Sequence, residues 1–391
     1  MLRLGVVGYG SRIGNMIEGV FRKIDPELRV AGIVDPDEAG ARSRLAACDR
    51  TDAVFCRSLR ELVRRTQPDG LAIGTRCNLH APYAIEAARY DLPLFLEKPV
   101  AISLAQATAL ERAYRRARAP VVVSFPLRVS PLCERTRGHI EAGAVGAPVH
   151  VSAVNQVPYG MCYWERPYRN YAITGGLFLQ KATHDLDYLM YLMGKPIVRI
   201  AAMGTWHHVF GGRKRRGLRC AACRETDTCL ESPANRRRHG GILDQDHLCL
   251  FSVDCGRTPA DSNEDCSSAV FEFEGGAHGV YSQVFFSRRE AGARGATVSG
   301  YGGTIGFDWY RNEMKLVYHH APRVVTETPG QGQEHFGGDR ELGNDFLDLL
   351  HGRSRVSRTP IATGIQSAYT CLAARESALT GRFVKVRQVG F

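Results

Sequence analysis

Two basic residues, far apart in the sequence, have the side-chain types needed to remove a proton from an alcohol. Lys98 comes directly after a short apolar, strand-like segment, and His184 lies in the sequence Lys-Ala-Thr-His-Asp-Leu-Asp. A hydride leaves a carbinol carbon only when the hydroxyl proton is removed, so a base and a cation that stabilises the developing alkoxide are needed. Lys98 and His184 could supply both. Lys181, three positions before His184, would share a helix face with it.

A glycine-rich turn near the N-terminus has the composition of a pyrophosphate-binding loop. The sequence Gly8-Tyr9-Gly10-Ser11-Arg12-Ile13-Gly14 follows a strand-like segment and opens a helical pattern. Glycines permit a tight turn and let the helix N-terminus approach a pyrophosphate. Asp35 ends the second strand-like segment, where a carboxylate would accept hydrogen bonds from the ribose hydroxyls of NAD. We therefore predict an NAD site at this turn.

Two features of this turn leave more than one interpretation open. The third glycine is Gly14, one position later than in the pattern G-x-G-x-x-G, so the helix start could be looser or shifted. Asp35 favours NAD because it would repel a 2′-phosphate, but Arg42 and Arg44 lie close enough in sequence to keep NADP as an alternative. A glycine-rich turn in an α/β protein without a cofactor is the remaining interpretation.

The spacing of apolar residues predicts two different sheets. Up to about residue 123, short β-branched runs alternate with longer helical patterns, which is typical of βαβ units in a doubly wound parallel sheet. Later strand-like runs follow one another with little helix between them, which predicts a large, mostly antiparallel open sheet. We expect a Rossmann dinucleotide-binding domain over residues 1–125 and an α+β domain over 126–391 for substrate binding and oligomer contacts.

Three short motifs resemble those of one known family. Thr75-x-x-x-x-His80, Glu97-Lys98-Pro99-x-Ala101 and His184-x-x-Asp187 resemble the Gfo/Idh/MocA oxidoreductases, and the resemblance covers nearly the whole chain. It implies a nicotinamide-dependent enzyme that oxidises a secondary alcohol, commonly on a sugar, glycoside or inositol ring. It also implies that Lys98 lies beside the nicotinamide ribose and the substrate hydroxyl, and that His184 is the general acid/base. The predicted cofactor-binding residues are Gly8, Gly10, Ser11, Arg12, Ile13, Asp35, Thr75, Asn78, His80, Glu97 and Lys98.

The sequence departs from the family pattern just before His184. The dehydrogenases place an aspartate four residues earlier to orient the histidine, and this chain has Gln180, which cannot take a proton. Asp187, one turn later, could orient the ring instead or cap local structure. We expect Lys181 to point at the substrate, as a second cation for the alkoxide or as the partner of an acidic substituent. A salt bridge to a nearby carboxylate is the alternative.

An aromatic and arginine-rich segment, residues 159–171, is the predicted wall of the substrate pocket. Aromatic faces stack on sugar C–H surfaces, and arginine binds carboxylates and phosphates through two parallel hydrogen bonds. Packing of the aromatic side chains in the core is the alternative. The predicted substrate-contacting residues are Lys98, Tyr159, Trp164, Arg166, Gln180, Lys181 and His184.

Four cysteines in a polar insertion, about residues 207–266, have the spacing of a metal site. The pair Cys220-x-x-Cys223 is followed by Cys229 and Cys249. Four thiolates complete a tetrahedral site suited to structural zinc. An iron–sulfur cluster uses the same ligands, and the same cysteines could instead be free thiols or form a disulfide. A metal would clamp an insertion that could not otherwise bury a core.

The composition excludes several classes of protein. The 391 residues are 44% hydrophobic and 23% charged, which is globular composition and excludes disordered and fibrous chains. The first strand-like segment begins almost at Met1 and no apolar run reaches the ~18 residues of a membrane span, so we expect a cytoplasmic protein without a signal peptide. The net charge of +11 suits an anionic partner, but the basic runs lack the aromatic residues that stack on nucleic acids, so we expect no nucleic-acid partner.

Three functions remain compatible with these residues. The first is an NAD-dependent dehydrogenase of a sugar, glycoside or cyclitol, with a substrate that could be anionic. The second is a glycosidase or epimerase in which tightly held NAD is reduced and then reoxidised, without net redox. The third is a non-catalytic dinucleotide-binding sensor, which Lys98 and His184 argue against and Gln180 favours. For all three we expect a homo-oligomer, a dimer or tetramer as in relatives.

Overall fold

A computed structural model describes residues 1–165, 167–238, 246–330 and 335–391. The first sheet has six parallel strands in the order β3-β2-β1-β4-β5-β6 within these residues. This order confirms the predicted Rossmann fold, in which ligands bind at the carboxyl ends of the strands. The strands are β1 (Arg3–Val7), β2 (Arg29–Val34), β3 (Val54–Phe55), β4 (Gly70–Ile73), β5 (Leu94–Leu96) and β6 (Val121–Val123).

Helices cover both faces of this sheet because alternate residues of a buried strand point in opposite directions. Val6 packs in one apolar cluster with Ile13, and Val7 packs in another with Leu62 and Ala81. The helices are α1 (Ser11–Met16), which continues through a π-helical turn (Ile17–Phe21) into α2 (Arg22–Ile24), then α3 (Glu38–Arg44), α4 (Ala47–Arg50), α5 (Leu59–Thr66), α6 (Cys77–Ala87) and α7 (Leu104–Tyr114). Serine hydroxyls cap α5 and α7, where Ser58 and Ser103 accept backbone N–H groups.

The second sheet has nine strands in the described residues, in the order β14-β13-β12-β11-β7-β10-β9-β8-β15. All its neighbours are antiparallel except β7 and β10, which run parallel, so the predicted mostly antiparallel sheet is confirmed. The strands are β7 (Pro148–Gln156), β8 (Ile197–Thr205), β9 (Cys266–Phe273), β10 (His278–Val284), β11 (Ala293–Gly300), β12 (Gly303–Asp308), β13 (Glu313–Tyr318), β14 (Val324–Glu327) and β15 (Val384–Lys385).

The helices of the second half pack on both sheets. They are α8 (Pro131–Glu141), α9 (Cys162–Glu165), α10 (Tyr171–Thr174), a π-helical turn (Phe178–Ala182) that leads into α11 (Thr183–Met193), α12 (Pro233–Arg238), α13 (Gly338–Leu350) and α14 (Ile361–Thr380). Near the C-terminus, α13 returns to the first sheet, where the ring of Phe346 lies 5.3 Å from Phe21 and 5.7 Å from Phe95. The division of the chain after residue 125 stays a prediction, since late residues complete the core of the first sheet.

None of the helices in the described part of the chain is both long enough and apolar enough to cross a membrane.

Candidate active site

The glycine-rich turn brings the first helix close to the neighbouring strand. Gly8 has φ +81°, and a Cβ on it would lie 2.7 Å from the backbone nitrogen of Thr75, so glycine is required. Gly10 precedes Ser11, the first residue of α1, and nothing lies within 4 Å of a Cβ placed on Gly10. The start of this helix therefore has free space on the Gly10 side, and a pyrophosphate at a helix N-terminus would need such space.

The packing of Ile13 explains the displaced third glycine. In the pattern G-x-G-x-x-G, that glycine permits close packing of helix on strand. Here Gly74, directly after β4, permits it instead, because a Cβ on Gly74 would lie 1.9 Å from Cγ1 of Ile13. Gly14 lies inside the helix and donates its N–H to Gly10 at 2.9 Å. Ile13 was predicted to bind the cofactor, but its side chain is fully buried in the core, so only its backbone faces the turn.

Asp35 fixes the turn from the neighbouring strand. Its carboxylate accepts the backbone N–H groups of Tyr9 at 2.7 Å and of Asp37 at 2.8 Å. A carboxylate has lone pairs beyond these two, which leaves acceptors for ribose hydroxyls. Of the two arginines that kept NADP as an alternative, Arg44 lies at this turn. Arg42 pairs with a glutamate of its own helix, and Arg44 donates to the carbonyl of Tyr9 at 3.0 Å.

Arg12 was predicted to bind the cofactor, and its guanidinium is instead held by two carboxylates. Nη1 and Nη2 each donate to Asp339 at 2.7 Å, and Nε donates to Glu97 at 2.9 Å. His335 also contacts Asp339, at 2.9 Å. Although burial opposes it, the hydrogen bonds from Arg12 and His335 lower the pKa of Asp339. The side chain of Arg12 thus joins the glycine-rich turn to the start of α13 and to Glu97.

His80, Thr75 and Asn78 lie beside this turn. His80 is buried, with Nδ1 2.8 Å from the carbonyl of Pro99 and Nε2 3.1 Å from that of Thr75. Burial lowers the pKa of His80, and the ring holds the turn that carries Lys98. The buried Oδ1 atom of Asn78 has no hydrogen-bond partner in the structure, so it is an acceptor directed at an added group.

Lys98 projects from the end of β5 toward the second half of the chain. Its Nζ atom donates to the backbone carbonyl of Gln180 at 2.9 Å. Burial lowers the pKa of Lys98 to about 8, and the nearby positive charge of Lys181 acts in the same direction. No carboxylate forms an ion pair with Lys98 in the described residues. It is a half-buried amine that can still donate to a ligand.

Lys181 contacts a tyrosine and not the carboxylate of the alternative interpretation. Its Nζ atom donates to the hydroxyl of Tyr159 at 2.6 Å and lies 4.9 Å from the centre of that ring. Burial lowers the pKa of Lys181 to about 7, and the positive charge of Arg294 contributes. Tyr159 is 43% exposed, so this pair lies where the buried site opens toward solvent.

His184 is close to both lysines and is 5% exposed. Burial, followed by the charge of Lys98, lowers the pKa of His184 well below its usual range, so the ring is neutral near pH 7. Its Nδ1 atom is buried without a hydrogen-bond partner in the structure. The rings of Phe125 and His335 lie 6.0 Å and 6.4 Å away and restrict the orientation of the imidazole.

Gln180 lies at the position where the family pattern has aspartate. It belongs to the π-helical turn before α11, which also carries Lys181. The backbone carbonyl of Gln180 holds Lys98, and its buried Oε1 atom has no partner in the structure. The structure therefore brings together four of the predicted residues, Lys98, Gln180, Lys181 and His184, and leaves polar atoms of this group available.

A buried network under this group contains residues that the sequence analysis missed. Asp185 is fully buried and accepts hydrogen bonds from Asn155, Tyr281 and Arg294 at 2.7–2.8 Å. Arg294, on β11, also forms a close ion pair with this carboxylate through Nη2 at 2.7 Å. The network fixes the start of α11 on the second sheet. Its partners come from three strands, and no local motif indicates them.

Asp187 does not orient the ring of His184. It accepts a hydrogen bond from Arg128 at 2.8 Å, and burial raises the pKa of Asp187 to about 6. The interpretation of Asp187 as a support for the histidine ring is therefore wrong, and its contact fastens α11 to the segment before α8.

The predicted aromatic wall is only partly found. Tyr159 lies at the site, but Trp164 is 1% exposed and packs in a core cluster, with its ring centre 4.3 Å from that of Phe210. The alternative of core packing is therefore correct for Trp164, because its large apolar surface is completely covered. Arg166, the third residue of this prediction, lies outside the described residues.

The four cysteines of the insertion line one cavity, together with His247. In the described part of the chain, however, no group of three or more His, Cys, Asp or Glu side chains is arranged to hold a metal ion. The predicted tetrahedral zinc site at Cys220, Cys223, Cys229 and Cys249 is therefore not supported.

Comparison with known families matches both halves of the chain. Residues 2–125 match the oxidoreductase family described as an NAD-binding Rossmann fold, and residues 134–306 match the GFO/IDH/MocA C-terminal domain.

Several similar proteins are named as oxidoreductases or inositol dehydrogenases. The oxidoreductase YteT of Bacillus subtilis is 22% identical over 94% of this chain and 93% of its own length. The myo-inositol 2-dehydrogenase of Thermotoga maritima is 24% identical, over 52% of this chain and 58% of its own length. Among solved structures, levoglucosan dehydrogenase in complex with NADH has a TM-score of 0.74 at 18% identity, covering 99% of this chain and 100% of that one. With both family domains present in this order, the chain belongs to the Gfo/Idh/MocA family of NAD-binding oxidoreductases.

Proposed function

We propose that this oxidoreductase is an NAD-dependent dehydrogenase that oxidises a secondary alcohol of a sugar, glycoside or cyclitol at Lys98 and His184. Inositol dehydrogenases among its relatives and levoglucosan dehydrogenase among its structural neighbours support this substrate class. NAD is supported by the family match of the first domain and by Asp35 beside the glycine-rich turn.

The observation that carries the proposal is the set of unsatisfied polar atoms in a buried site. Nδ1 of His184 and Oε1 of Gln180 have no hydrogen-bond partner among the described residues, although buried polar atoms are nearly always hydrogen-bonded. Lys98 and Lys181 lie beside them, and each donates one hydrogen bond within the described residues, although an ammonium group has three donors. A molecule with several adjacent hydroxyl groups offers the matching donors and acceptors.

The residues of the turn fit the cofactor. Backbone N–H groups after Gly10 would hold the pyrophosphate, Asp35 the ribose hydroxyls, and the buried Oδ1 atom of Asn78 is a further acceptor. NAD, when bound, accepts the hydride from the carbinol carbon. Gly8 lets the backbone of the turn approach that of Thr75, because a Cβ at this position would clash with it.

Lys98 and His184 have different roles at the hydroxyl group of the substrate. His184 is neutral near pH 7 because its pKa is lowered, and a neutral imidazole can accept the hydroxyl proton. In its charged form, Lys98 donates a hydrogen bond that stabilises the alkoxide as it develops. The amine of Lys98 donates to the backbone carbonyl of Gln180, and this hydrogen bond directs it toward the hydroxyl group.

Lys181 either stabilises the same alkoxide or binds an acidic substituent. Both roles are compatible with a buried amine that contacts Tyr159 and has no carboxylate partner in the described residues. Kinetics with a uronic acid and with the corresponding neutral sugar distinguish these two roles. If Lys181 binds an acid group, Lys181→Met raises KM for the uronic acid alone, and if it stabilises the alkoxide, kcat falls for both.

The test is nicotinamide absorbance while the protein and NAD are offered sugars, uronic acids, glycosides and inositols. NADH formation with one class, abolished by Lys98→Met and retained by Lys195→Met, would support the proposal. Lys195 is an exposed lysine after α11 and serves as the matched control. Conversion of a substrate without net NADH would favour the internal redox cycle, and NAD binding without any conversion would favour a sensor.

A further inference from the structure

A second histidine, His335, lies beside the buried His184. Their ring centres are 6.4 Å apart, and the angle between the two ring planes is 35°. The two histidines differ in their access to solvent, since His184 is 5% exposed whereas the side chain of His335 is 40% exposed. His335 therefore adjoins both the buried imidazole and the solvent.

A buried carboxylate holds the ring of His335. Its Nδ1 atom lies 2.9 Å from Oδ2 of Asp339, which is 1% exposed and accepts two hydrogen bonds from Arg12 at 2.7 Å. Although burial opposes it, the hydrogen bonds from Arg12 and His335 lower the pKa of Asp339, so this group is ionised near pH 7 and can only accept. The hydrogen therefore belongs to Nδ1 of His335. In the neutral ring Nε2 then carries a lone pair, and no described residue forms a hydrogen bond with it.

The backbone at His335 has a conformation that few side chains accept. The angle φ is +42° at His335 and +57° at Phe336. Consecutive left-handed residues other than glycine are strained, and they persist where the surrounding structure fixes them. Phe336 stacks on Trp309 with ring centres 5.9 Å apart, and Gly338 packs so closely that a Cβ on it would lie 1.8 Å from the carbonyl oxygen of Pro126. The fold thus holds the His335 ring beside the site in spite of the local strain.

The proposed oxidation produces a proton that the buried site cannot keep. The carbinol hydrogen leaves as hydride to NAD, and the hydroxyl O–H bond breaks as its proton passes to His184. Burial, followed by the positive charges of Lys98 and Arg294, lowers the pKa of His184 well below its usual range. A protonated imidazole is therefore unstable at this position. Each turnover needs a route that carries the proton from His184 to solvent.

We propose that His335 receives this proton from His184 through one bridging water and releases it to solvent. Rings 6.4 Å apart are too distant for a direct hydrogen bond and near enough for a water molecule to join them. The water takes the proton from His184 as it gives one of its own to Nε2 of His335, and the neutral ring returns when Nε2 passes that proton to solvent. This inference rests on the proposed dehydrogenase function.

The groups around His335 suit a ring that becomes charged for part of each turnover. Asp339 balances the charge of the imidazolium that forms and keeps its hydrogen bond to Nδ1 throughout. Arg12 from α1 and His184 from α11 are the charged or titratable groups that meet this pair in the part of the chain that the structure describes. Arg12 donates to Asp339 and fixes its position, so the carboxylate cannot turn away from the ring.

An asparagine variant separates proton transfer from structure. The amide of His335→Asn can donate to Asp339 as Nδ1 does, and asparagine is one of the residues that accept a positive φ, but it cannot carry a proton. We expect kcat for NADH formation to fall roughly 100-fold, with little change in KM. The matched control is His351→Asn, at the other end of α13, where the ring lies 2.9 Å from Asp25 and the side chain is 34% exposed. Its kcat should equal that of the wild type. An unchanged kcat in His335→Asn would overturn the proposal and make His335 a structural residue.

A glycine variant restores the lost base from solution. His335→Gly suits the left-handed backbone and leaves space for a free imidazole molecule. At constant pH and ionic strength, added imidazole should raise the kcat of His335→Gly toward the wild-type value and leave the wild type and His351→Asn unchanged. A low kcat that does not respond to imidazole, in a variant that still binds NAD, would overturn the proposal, because a structural role alone predicts that result.

The wild-type protein distinguishes failure of this inference from failure of the proposed function. If the wild type forms no NADH with any substrate, the dehydrogenase function and the proton route both fall. If the wild type forms NADH and either variant gives its contrary result, only the role of His335 falls. Circular dichroism checks the fold of both variants, and the one that is folded decides if the other is not.

Discussion

Neighbouring residues of one segment contribute to two buried polar groups that differ in how completely they are paired. Asp185 belongs to the lower group, where Asn155, Tyr281 and Arg294 satisfy its carboxylate. His184, one residue earlier, belongs to the upper group, which consists of Lys98, Gln180, Lys181 and His184. Its Nδ1 atom has no hydrogen-bond partner among the described residues. Both side chains are buried, so they differ in their hydrogen bonds, although Oδ1 of Asn155 and Nη2 of Arg294 in the lower group also have no hydrogen-bond partner among the described residues. A carboxylate that accepts three hydrogen bonds holds the fold together, whereas a buried imidazole nitrogen without a partner can form a hydrogen bond to a ligand.

The largest expected effect is on turnover when the upper group is altered. Lys98→Met removes the cation at the alkoxide, and we expect kcat to fall roughly 100-fold to 10,000-fold. The thermal midpoint should stay the same or rise, because Lys98 is a half-buried amine with one hydrogen bond and no ion pair to a carboxylate within the described residues. Kinetics and thermal unfolding of Lys98→Met and the control Lys195→Met measure both quantities. If Lys98→Met lost stability but kept its turnover, Lys98 would be a structural residue and not part of the catalytic site.

The lower group should respond in the opposite way. Arg294→Met leaves the carboxylate of Asp185 buried without its cation, which should lower the free energy of unfolding by about 3–5 kcal/mol. The double variant Arg294→Met/Asp185→Asn removes the uncompensated charge and should recover part of this loss. Urea unfolding measures both. Additive losses in the double variant would show that the two side chains do not act as a pair.

Two glycines of the first domain are also expected to differ, one being needed for stability and the other for NAD binding. Gly74→Ala places a Cβ 1.9 Å from Ile13, and overpacking of this kind should cost about 1–3 kcal/mol of stability. Gly10→Ala meets no atom within 4 Å, so stability should be unchanged while NAD affinity falls. Urea unfolding and calorimetric titration with NAD separate the two. Equal NAD affinity in Gly10→Ala and wild type would remove this turn from the cofactor site.

The smallest expected effect is a pH dependence of stability that comes from the upper group. In the unfolded chain Lys181 holds its proton up to a pKa of ~10.4, whereas burial lowers its folded pKa to about 7. Between these pH values the unfolded state binds more protons, so the folded state becomes relatively more stable as pH rises. Urea unfolding at pH 7, 8 and 9 should show this rise in wild type and a weaker rise in Lys181→Met. Equal slopes in the two proteins would contradict the low pKa.

Much of the fold can be predicted from the sequence because its signals are local. The alternation of strand and helix patterns indicates the parallel sheet, and the later strand runs indicate the antiparallel one. Strands β12 and β14 were not predicted, since glycines interrupt β12 and β14 has only four residues at the edge of the sheet. The return of α13 to the first sheet was also missed, because its partner Phe21 lies at the other end of the chain.

The candidate site divides in the same way. Lys98, Lys181 and His184 could be predicted from motifs, and the structure places them together. Arg294 could not, because its pairing with Asp185 spans half the second domain. Trp164 was placed wrongly because aromatic residues serve cores and sugar pockets alike, and only burial distinguishes them. The predicted oligomer, cytoplasmic location and absence of nucleic-acid partners stay predictions.

The proposed oxidation of an alcohol by NAD at Lys98 and His184 is tested most directly by following the transferred hydrogen. The best substrate of the panel is prepared with deuterium on the carbinol carbon, and the nicotinamide product is analysed by mass spectrometry. We expect singly deuterated NADH from the wild-type protein and a much slower appearance of it from Lys98→Met. Undeuterated NADH, or equal rates in the two proteins, would contradict it.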